Sequence, residues 1–137
     1  MPSIFTRIIN GEIPAAKVYE DADTLAFLDI NPASRGHTLV ICKAEIATLT
    51  ELTDAQLIAT ARTTQRVAAA VQRALQADGF NIVQSNGAAA GQEVFHYHVH
   101  IIPRWHNDGV FTFWHPQRVD TDVMAIIADA IKNAMNV

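Results

Sequence analysis

The sequence predicts an α+β fold in which a five-stranded antiparallel sheet carries one long helix and one C-terminal helix. Three observations lead to this prediction. The 137 residues suffice for a single domain, residues 1–137, with a core of its own. Apolar residues make up 50% of the chain and charged residues 18%, which is typical of folded rather than disordered proteins. Strand-like segments surround one long helical pattern and precede a second, an order that favours helices packed on one face of a sheet.

Capping residues mark the first two helices. Ser3 caps a short helix predicted over residues 3–10. Thr53, with Gln56 three residues later, forms the capping-box pattern that begins a long helix. Gly79 ends this helix after about seven turns. Its predicted buried stripe consists of Leu57, Ala61, Thr64, Ala68, Val71 and Leu75.

The strands are predicted where β-branched and aromatic residues lie between turn residues. Five segments have this character: residues 17–20, 24–28, 37–41, 80–84 and 95–103. A second amphipathic pattern follows them and predicts the C-terminal helix over residues 121–134.

Charge and cysteine content exclude several classes of function. Ten Lys and Arg against fourteen Asp and Glu give a net charge of −4, which argues against nucleic-acid binding because that depends on basic residues. The single cysteine, Cys42, forms neither an internal disulfide nor a cysteine zinc site. The sequence shows no signal-peptide pattern and no apolar run of about 20 residues. We therefore expect a cytoplasmic protein with no membrane partner.

The most informative segment is residues 96–100, in which histidine alternates with apolar or aromatic residues. Side chains alternate between the two faces of a strand, so we expect His96, His98 and His100 on one face, about 7 Å apart. His37 begins another predicted strand. Four of the six histidines are therefore expected to converge.

Residue chemistry alone leaves three interpretations of these histidines open. They are solvated polar positions, zinc ligands, or nucleophiles. A His-x-His pair with a third histidine is a good zinc ligand set, and Asp29 and Glu93 are the nearby acidic residues that could orient such ligands. A neutral imidazole is already the majority form at pH 7 and needs no separate base. A phosphoryl group suits such a nucleophile, with Gln92 and the backbone N–H groups of the Gly91-Gln92 turn holding its oxygens.

The segment His96-Tyr97-His98-Val99-His100-Ile101-Ile102 resembles the signature of the histidine triad family, His-φ-His-φ-His-φ-φ with φ apolar. The resemblance covers nearly the whole chain. The other similar segments are residues 3–9, 11–14, 17–20, 27–32, 36–41, 91–95 and 103–104.

This resemblance implies a nucleotide hydrolase or transferase that cleaves the α-phosphate bond of nucleoside monophosphate derivatives. The reaction implied by the family passes through a covalent nucleotidyl-histidine intermediate and requires no metal or other cofactor. The implied partners are a small molecule, a purine nucleoside phosphate, and a second copy of the chain. In the implied homodimer the sheet continues across the subunit boundary.

The resemblance also assigns roles by motif position. His98 is the implied nucleophile, and His100 is implied to contact the phosphate and help the leaving group depart. His96 and His37 are implied to orient the nucleophile. The implied nucleotide contacts are Asp29 on the ribose, Gln92 and Asn86 near the phosphate, and Phe5, Ile8 and Ile30 around the base.

Four positions depart from the family pattern. One is Ser85, which stands where the family has Asn or Gln near the phosphate and is followed by Asn86. Ser3 and Thr6 stand where some bacterial relatives have a zinc-binding Cys-x-x-Cys, so we expect no structural zinc. Glu93 stands where the phosphoramidate branch often has serine. A carboxylate there would disfavour a polyanionic leaving group and accommodate an amine, which favours phosphoramidates or aminoacyl adenylates over dinucleoside polyphosphates. A zinc-dependent hydrolase and a nucleotide-binding scaffold with incidental turnover are the alternatives.

Overall fold

The protein forms one antiparallel sheet whose strands lie in the order β1-β2-β3-β5-β4. The computed structural model describes residues 1–135. The strands are β1 (Lys17–Glu20), β2 (Thr24–Leu28), β3 (Thr38–Cys42), β4 (Gly79–Val83) and β5 (His98–Arg104). The helices are α1 (Ile4–Ile9), α2 (Asp54–Leu75) and α3 (Thr121–Met135), with short 3-10 turns at Leu49–Glu51 and Ala88–Ala90. The predicted α+β class and the five strands are confirmed.

Helix α2 packs against one face of the sheet. The predicted capping box is present, with Thr53 Oγ1 accepting from the Gln56 N–H at 3.2 Å and Gln56 Oε1 accepting from the Thr53 N–H at 2.8 Å. The 22-residue helix makes about six turns rather than seven. The residues that share the core beneath it are Ala26, Val40, Cys42, Val67, Ala68, Tyr97, Val99 and Ile101.

The buried stripe of α2 differs from the predicted one. Thr60 and Thr63 are buried, whereas Leu57 and Ala61 are exposed. The threonines tolerate burial because their hydroxyls are bonded: Thr60 Oγ1 donates to the Gln56 carbonyl, and Thr63 Oγ1 lies 2.8 Å from Thr24 Oγ1. Ala68 of the predicted stripe is buried and Val71 packs against the core, so hydropathy locates part of the face and misses the buried threonines.

The opposite face of the sheet is covered by the short helix α1, which the prediction of a long and a C-terminal helix on one face did not include. Six residues form the core between α1 and the sheet: Phe5, Ile8, Leu25, Phe27, Leu39 and Ile41. Helix α3, in contrast, is exposed along its whole length and does not pack on the sheet. Among the described residues, no helix is both long and apolar enough to span a membrane.

Strand β5 begins at His98 and not at residue 95 as predicted. Residues 94–96 form a bend, and the Tyr97 N–H bonds to the Ile46 carbonyl at 2.6 Å instead of joining the ladder. Within the strand, His98 pairs with Ile41 and His100 with Leu39. Because Ile41 and Leu39 belong to the α1 face, the register places both histidine side chains on that face.

Candidate active site

A cavity of about 440 Å³ lies between α1 and the ends of β2, β3 and β5. This volume suits a small-molecule ligand. His98, His100 and His37 lie along its polar part, together with Asp29. The apolar part is lined by Phe5, Ile8, Ile13, Phe27, Ile30 and Leu39. The cavity therefore combines a cluster of imidazoles with hydrocarbon walls.

The protonation of His98 follows from its hydrogen bond. Its Nδ1 lies 2.6 Å from the carbonyl oxygen of His96. A carbonyl oxygen only accepts, so Nδ1 carries the proton and Nε2 keeps its lone pair. No protein group within residues 1–135 bonds to Nε2. The ring thus presents an unprotonated nitrogen beside the cavity, as a nucleophile requires.

His37 and His100 form a directed chain of hydrogen bonds. The Ala33 N–H donates to His37 Nδ1 at 2.9 Å, so His37 carries its proton on Nε2. That nitrogen lies 2.9 Å from His100 Nδ1, which must accept. His100 consequently carries its own proton on Nε2. An anionic ligand in the cavity would meet a lone pair from His98 and an N–H donor from His100.

The electrostatic environment keeps these rings neutral. Burial lowers the pKa of His98 and of His37 below 6.5, although Asp29 partly opposes this shift at His37. Burial, together with the neighbouring His98 and His37, lowers the pKa of His100 to about 4. A ring without charge retains the lone pair that attacks an electrophile, so His98 has the protonation state of a nucleophile at neutral pH.

The structure gives His96 a different position from the other motif histidines. Its side chain is fully buried and does not line the cavity. Its Nε2 donates to the Cys42 carbonyl at 2.5 Å, and its Nδ1 accepts from the Ser3 hydroxyl at 2.7 Å. His96 therefore lies on the α1 side with His98, where Phe5 packs against both rings, but it is buried behind the cavity and is not exposed to a ligand. The His98 and His100 ring centroids are 5.0 Å apart, closer than the predicted 7 Å.

The residues implied to bind the nucleoside part lie around the cavity. Asp29 Oδ1 accepts from the Asn31 N–H at 2.8 Å, and Oδ2 lies 3.6 Å from His37 Nε2. Phe5 packs edge-on against His98 with ring centroids 4.9 Å apart. Ile8 is buried, whereas Ile30 is 86% exposed at the rim. The cavity thus combines a carboxylate beside His37 with apolar side chains.

The residues expected near the phosphate, Gln92 and Asn86, do not line the cavity. Gln92 is buried, and its amide bonds to the Gly87 N–H and to the carbonyls of Ala47 and Val94. The Gly91 and Gln92 N–H groups donate within their own turn, to the carbonyls of Ala88 and Gly87. Gln92 therefore shapes the loop and does not line the cavity.

Asn86 also lies away from the cavity. Its side-chain oxygen accepts from the Leu49 N–H at 2.7 Å, and its amide nitrogen donates to Gln84 at 2.7 Å. These bonds join the loop after β4 to the turn before α2. Glu93, by contrast, lines the cavity, as does Gly91.

Asp29, His37 and His100 form a group that could hold a metal ion, since one ligand atom from each lies within 4.8 Å of the others. The hydrogen bonds oppose this use. A metal on His37 Nε2 would move the ring proton to Nδ1, where it would face the Ala33 N–H donor. Both nitrogens of His96 are already bonded. The zinc interpretation thus requires rearrangement of a bonded site.

Several residues that line the cavity were not predicted as site residues from the sequence. They are Ile13, Phe27, Asn31, Leu39 and Val94. Phe27 pairs with Leu39, and Leu39 pairs with His100, so they form a row across three strands. Alternation along each strand provided a signal, but only the register between strands identifies this row.

Comparison with known proteins identifies the family. The HIT domain family matches residues 10–107. The chain belongs to this family. A HIT-like protein of Methanocaldococcus jannaschii is 48% identical over 120 residues, which cover 87% of this chain and 92% of that protein. A crystal structure of a HIT family member from Bacillus subtilis has a TM-score of 0.91 and 38% identity, covering 97% of this chain and 96% of that one. The adenosine 5'-monophosphoramidase HNT1 of Saccharomyces cerevisiae is 39% identical over 120 residues, 87% of this chain and 73% of that enzyme.

Proposed function

We propose that this HIT protein hydrolyses nucleoside monophosphate derivatives at the α-phosphate through a covalent intermediate on His98. The observation that carries the proposal is the protonation pattern of the cavity. His98 Nε2 has a free lone pair, and His100 Nε2–H is a donor beside it. A similar family member is named a phosphoramidase, which supports nucleotide hydrolysis as the general activity.

In the first step, His98 Nε2 forms a bond to the α-phosphorus while the bond to the leaving group breaks. The leaving atom takes the electron pair of that bond and a proton from solvent. Positive charge develops on the His98 ring, and the His96 carbonyl 2.6 Å from Nδ1 stabilises it. His100 Nε2–H donates to a phosphoryl oxygen, where charge accumulates in the transition state.

In the second step, a water oxygen bonds to phosphorus, its proton returns to solvent, and the phosphorus–nitrogen bond breaks. His98 recovers its lone pair and the nucleotide leaves. Asp29 accepts hydrogen bonds from ribose hydroxyls through the oxygen that Asn31 leaves free. The base lies against Phe5, Ile8 and Ile30. We also propose that the substrate is a purine nucleotide and that the protein is cytoplasmic.

Glu93 supports a preference among leaving groups. It is one of the residues that line the cavity, with its chain neighbours Gly91 and Val94. A carboxylate there repels a polyphosphate and attracts a protonated amine. We therefore expect higher kcat/KM on adenosine phosphoramidates and aminoacyl adenylates than on dinucleoside polyphosphates. A parent with higher kcat/KM on the polyphosphate than on the phosphoramidate, and a Glu93→Gln variant that keeps the same order of the two substrates, would contradict this preference.

The test of the mechanism is intact mass spectrometry after a neutral quench, with a slowly hydrolysed adenosine phosphoramidate. We expect a mass increase of one nucleotidyl group, mapped to His98 and missing in His98→Ala. Turnover that persists after chelator treatment would argue against the zinc-dependent alternative. Nucleotide binding without turnover on any candidate substrate would support the scaffold alternative and overturn the proposal.

We further propose that two copies pair through β4, so that the sheet continues across the dimer. The two edges of the sheet differ in character. Edge strand β1 carries Lys17 and Glu20 and an irregular register, features that discourage edge pairing. Edge strand β4 has no charged residue and exposes Phe80 and Ile82, by 38% and 48%.

Helix α2 adds to the same surface. An apolar groove of about 610 Å³ lies beside β4, and Ala61 and Thr64 of the predicted α2 stripe line it with Phe80 and Ile82. The stripe predicted from the sequence therefore exceeds what one chain buries. A second copy would cover the remainder and remove an apolar surface from water.

Light scattering after size exclusion tests this dimer. We expect Ile82→Lys to convert a dimeric parent into a monomer, because the substitution places a charge at the β4 edge. Val18→Lys, at a 50% exposed site on the β1 edge, is the matched control and should remain dimeric. A monomeric parent, or loss of the dimer only in the control, would contradict pairing through β4.

A further inference from the structure

Behind the cavity, a hydrogen-bonded cluster links helix α1 to the histidine motif. Ser3 Oγ donates to His96 Nδ1 at 2.7 Å and also accepts from the Thr6 N–H at 3.1 Å as the cap of α1. Glu45 Oε1 accepts from the Ser3 N–H and from Thr6 Oγ1, the latter at 2.9 Å. We call these three residues, Ser3, Thr6 and Glu45, the α1 latch.

The latch is connected to the proposed nucleophile, His98, through two neighbours of its ring. His96 is held between Ser3 and the Cys42 carbonyl, and its own carbonyl accepts from His98 Nδ1. Phe5, two residues after Ser3, packs edge-on against both rings, with centroid distances of 5.8 Å to His96 and 4.9 Å to His98. The latch is thus linked to both supports of the His98 ring: Ser3 bonds to the ring of His96, whose carbonyl holds His98, and Phe5 belongs to the helix that Ser3 caps.

Helix α1 needs such contacts. It has six residues, far below the length at which an isolated helix is stable in water. It nevertheless supplies Phe5 and Ile8 to the cavity wall. Its position therefore depends on tertiary contacts, and the latch joins its first turn to the segment after β3 that carries Glu45.

We propose that Ser3 and Glu45 are positioning residues for the reaction at His98. The inference rests on the proposed function, because it assigns these two residues to the same site. Ser3 acts through His96. The Cys42 carbonyl accepts from Nε2–H and so fixes the tautomer, and the Ser3 hydroxyl donates to the lone pair on Nδ1, which holds the ring and with it the carbonyl to which His98 bonds. Glu45 acts through α1, because it holds the helix that carries Phe5 and Ile8.

These two routes predict different kinetic effects. Ser3→Ala removes the donor to His96, so we expect kcat to fall about tenfold, the factor for one ordinary hydrogen bond, with KM changed less than about twofold. Glu45→Ala loosens the helix that walls the base, so we expect KM for the nucleotide to rise about threefold to tenfold. Glu51→Ala is the matched control, since Glu51 is exposed nearby and bonds to Thr48 and not to α1.

Two further Ser3 variants separate positioning from capping. Ser3→Thr keeps both the cap and the hydroxyl proton and should restore at least half of kcat. Ser3→Asp keeps a good cap but has no proton to donate to His96, so it should be as slow as Ser3→Ala. Parent-like kcat in Ser3→Asp would show that Ser3 is only a helix cap and would overturn its positioning role. Unchanged KM in Glu45→Ala would overturn the role of Glu45.

Nitrogen NMR of the histidine rings distinguishes this inference from the proposed function. In the parent we expect protons on His96 Nε2 and His98 Nδ1, and we expect Ser3→Ala to shift both resonances while Glu51→Ala shifts neither. If the parent shows no turnover on any substrate, these shifts would still support the latch. Ring resonances that Ser3→Ala leaves unchanged would overturn it, whatever the activity.

Discussion

His96 and His98 are two residues apart in one motif, yet their surroundings differ in every respect that matters for chemistry. His96 is fully buried, and both of its ring nitrogens are bonded to protein groups. His98 has one bonded nitrogen and presents the other to a cavity. The comparison teaches that spacing brings histidines together, but the partner of each nitrogen decides whether a ring supports the fold or reacts.

The largest expected effect is on turnover in His98→Ala. Loss of a nucleophile removes the covalent route, so we expect kcat to fall by at least about 10⁴-fold. The free energy of unfolding should change by only about 1 kcal/mol, because one hydrogen bond is lost beside an existing cavity. Steady-state kinetics and urea denaturation measure the two quantities. Turnover within tenfold of the parent would remove His98 from the mechanism.

His96→Ala should lower the free energy of unfolding more, and kcat less, than His98→Ala does. It removes a buried ring with two hydrogen bonds, so we expect the free energy of unfolding to fall by about 2–4 kcal/mol. We expect kcat to fall about 10–100-fold, because the backbone carbonyl that holds His98 remains but loses its support. Exposed His115→Ala is the control for both measurements. A kcat loss as large as that of His98→Ala would contradict the assignment of different roles to the two rings.

His37→Ala tests the chain that directs His100. It removes the donor to His100 Nδ1 and frees that ring to exchange its tautomers. We expect kcat to fall about tenfold, the usual factor for one hydrogen bond. KM should change less than about twofold, because His100 Nε2–H donates to the phosphoryl oxygen where charge accumulates in the transition state. A rise in KM with kcat unchanged would assign His37 to binding instead.

The smallest expected effect is on pH dependence. Burial lowers the pKa of His96 and His98, so the unfolded chain binds more protons than the native one below pH 6.5. Stability is therefore fully present above pH 6.5 and declines as the pH falls toward 4, the pKa of His100. Thermal unfolding between pH 7.5 and 4.5 measures this decline, which His100→Ala should make shallower.

The same lowered pKa values predict activity at acid pH. The reactive form of His98 is neutral, so the acid limb of kcat/KM should have its midpoint below 6.5. A midpoint above 6.5 would show that His98 is more easily protonated than its burial implies.

The site was predictable in part. The alternation of the motif predicted that His98 and His100 share a face, and the resemblance implied Asp29, Phe5 and Ile8, all of which line the cavity. Gln92 and Asn86 lie outside it because their amides bond to backbone groups of neighbouring loops. Polar side chains look alike in a sequence, whether they bind a ligand or satisfy a loop.

The fold was predictable to a similar degree. Period-two and capping patterns located the strands and α2 because these are local properties of the chain. They missed the buried threonines of α2 and misplaced the start of β5. Bonded threonines and a bend at residues 94–96 depend on partners far away in sequence.

By itself, the sequence determined the α+β class, the family and the grouping of histidines near one strand, since all three depend on local pattern and residue type. Only the tertiary structure decided which nitrogen of each ring is free. That choice depends on the carbonyl, hydroxyl or amide that packing brings within hydrogen-bond distance, as Ser3 is brought to His96 across 93 positions. Chemical role at this site is thus a property of contacts distant in sequence.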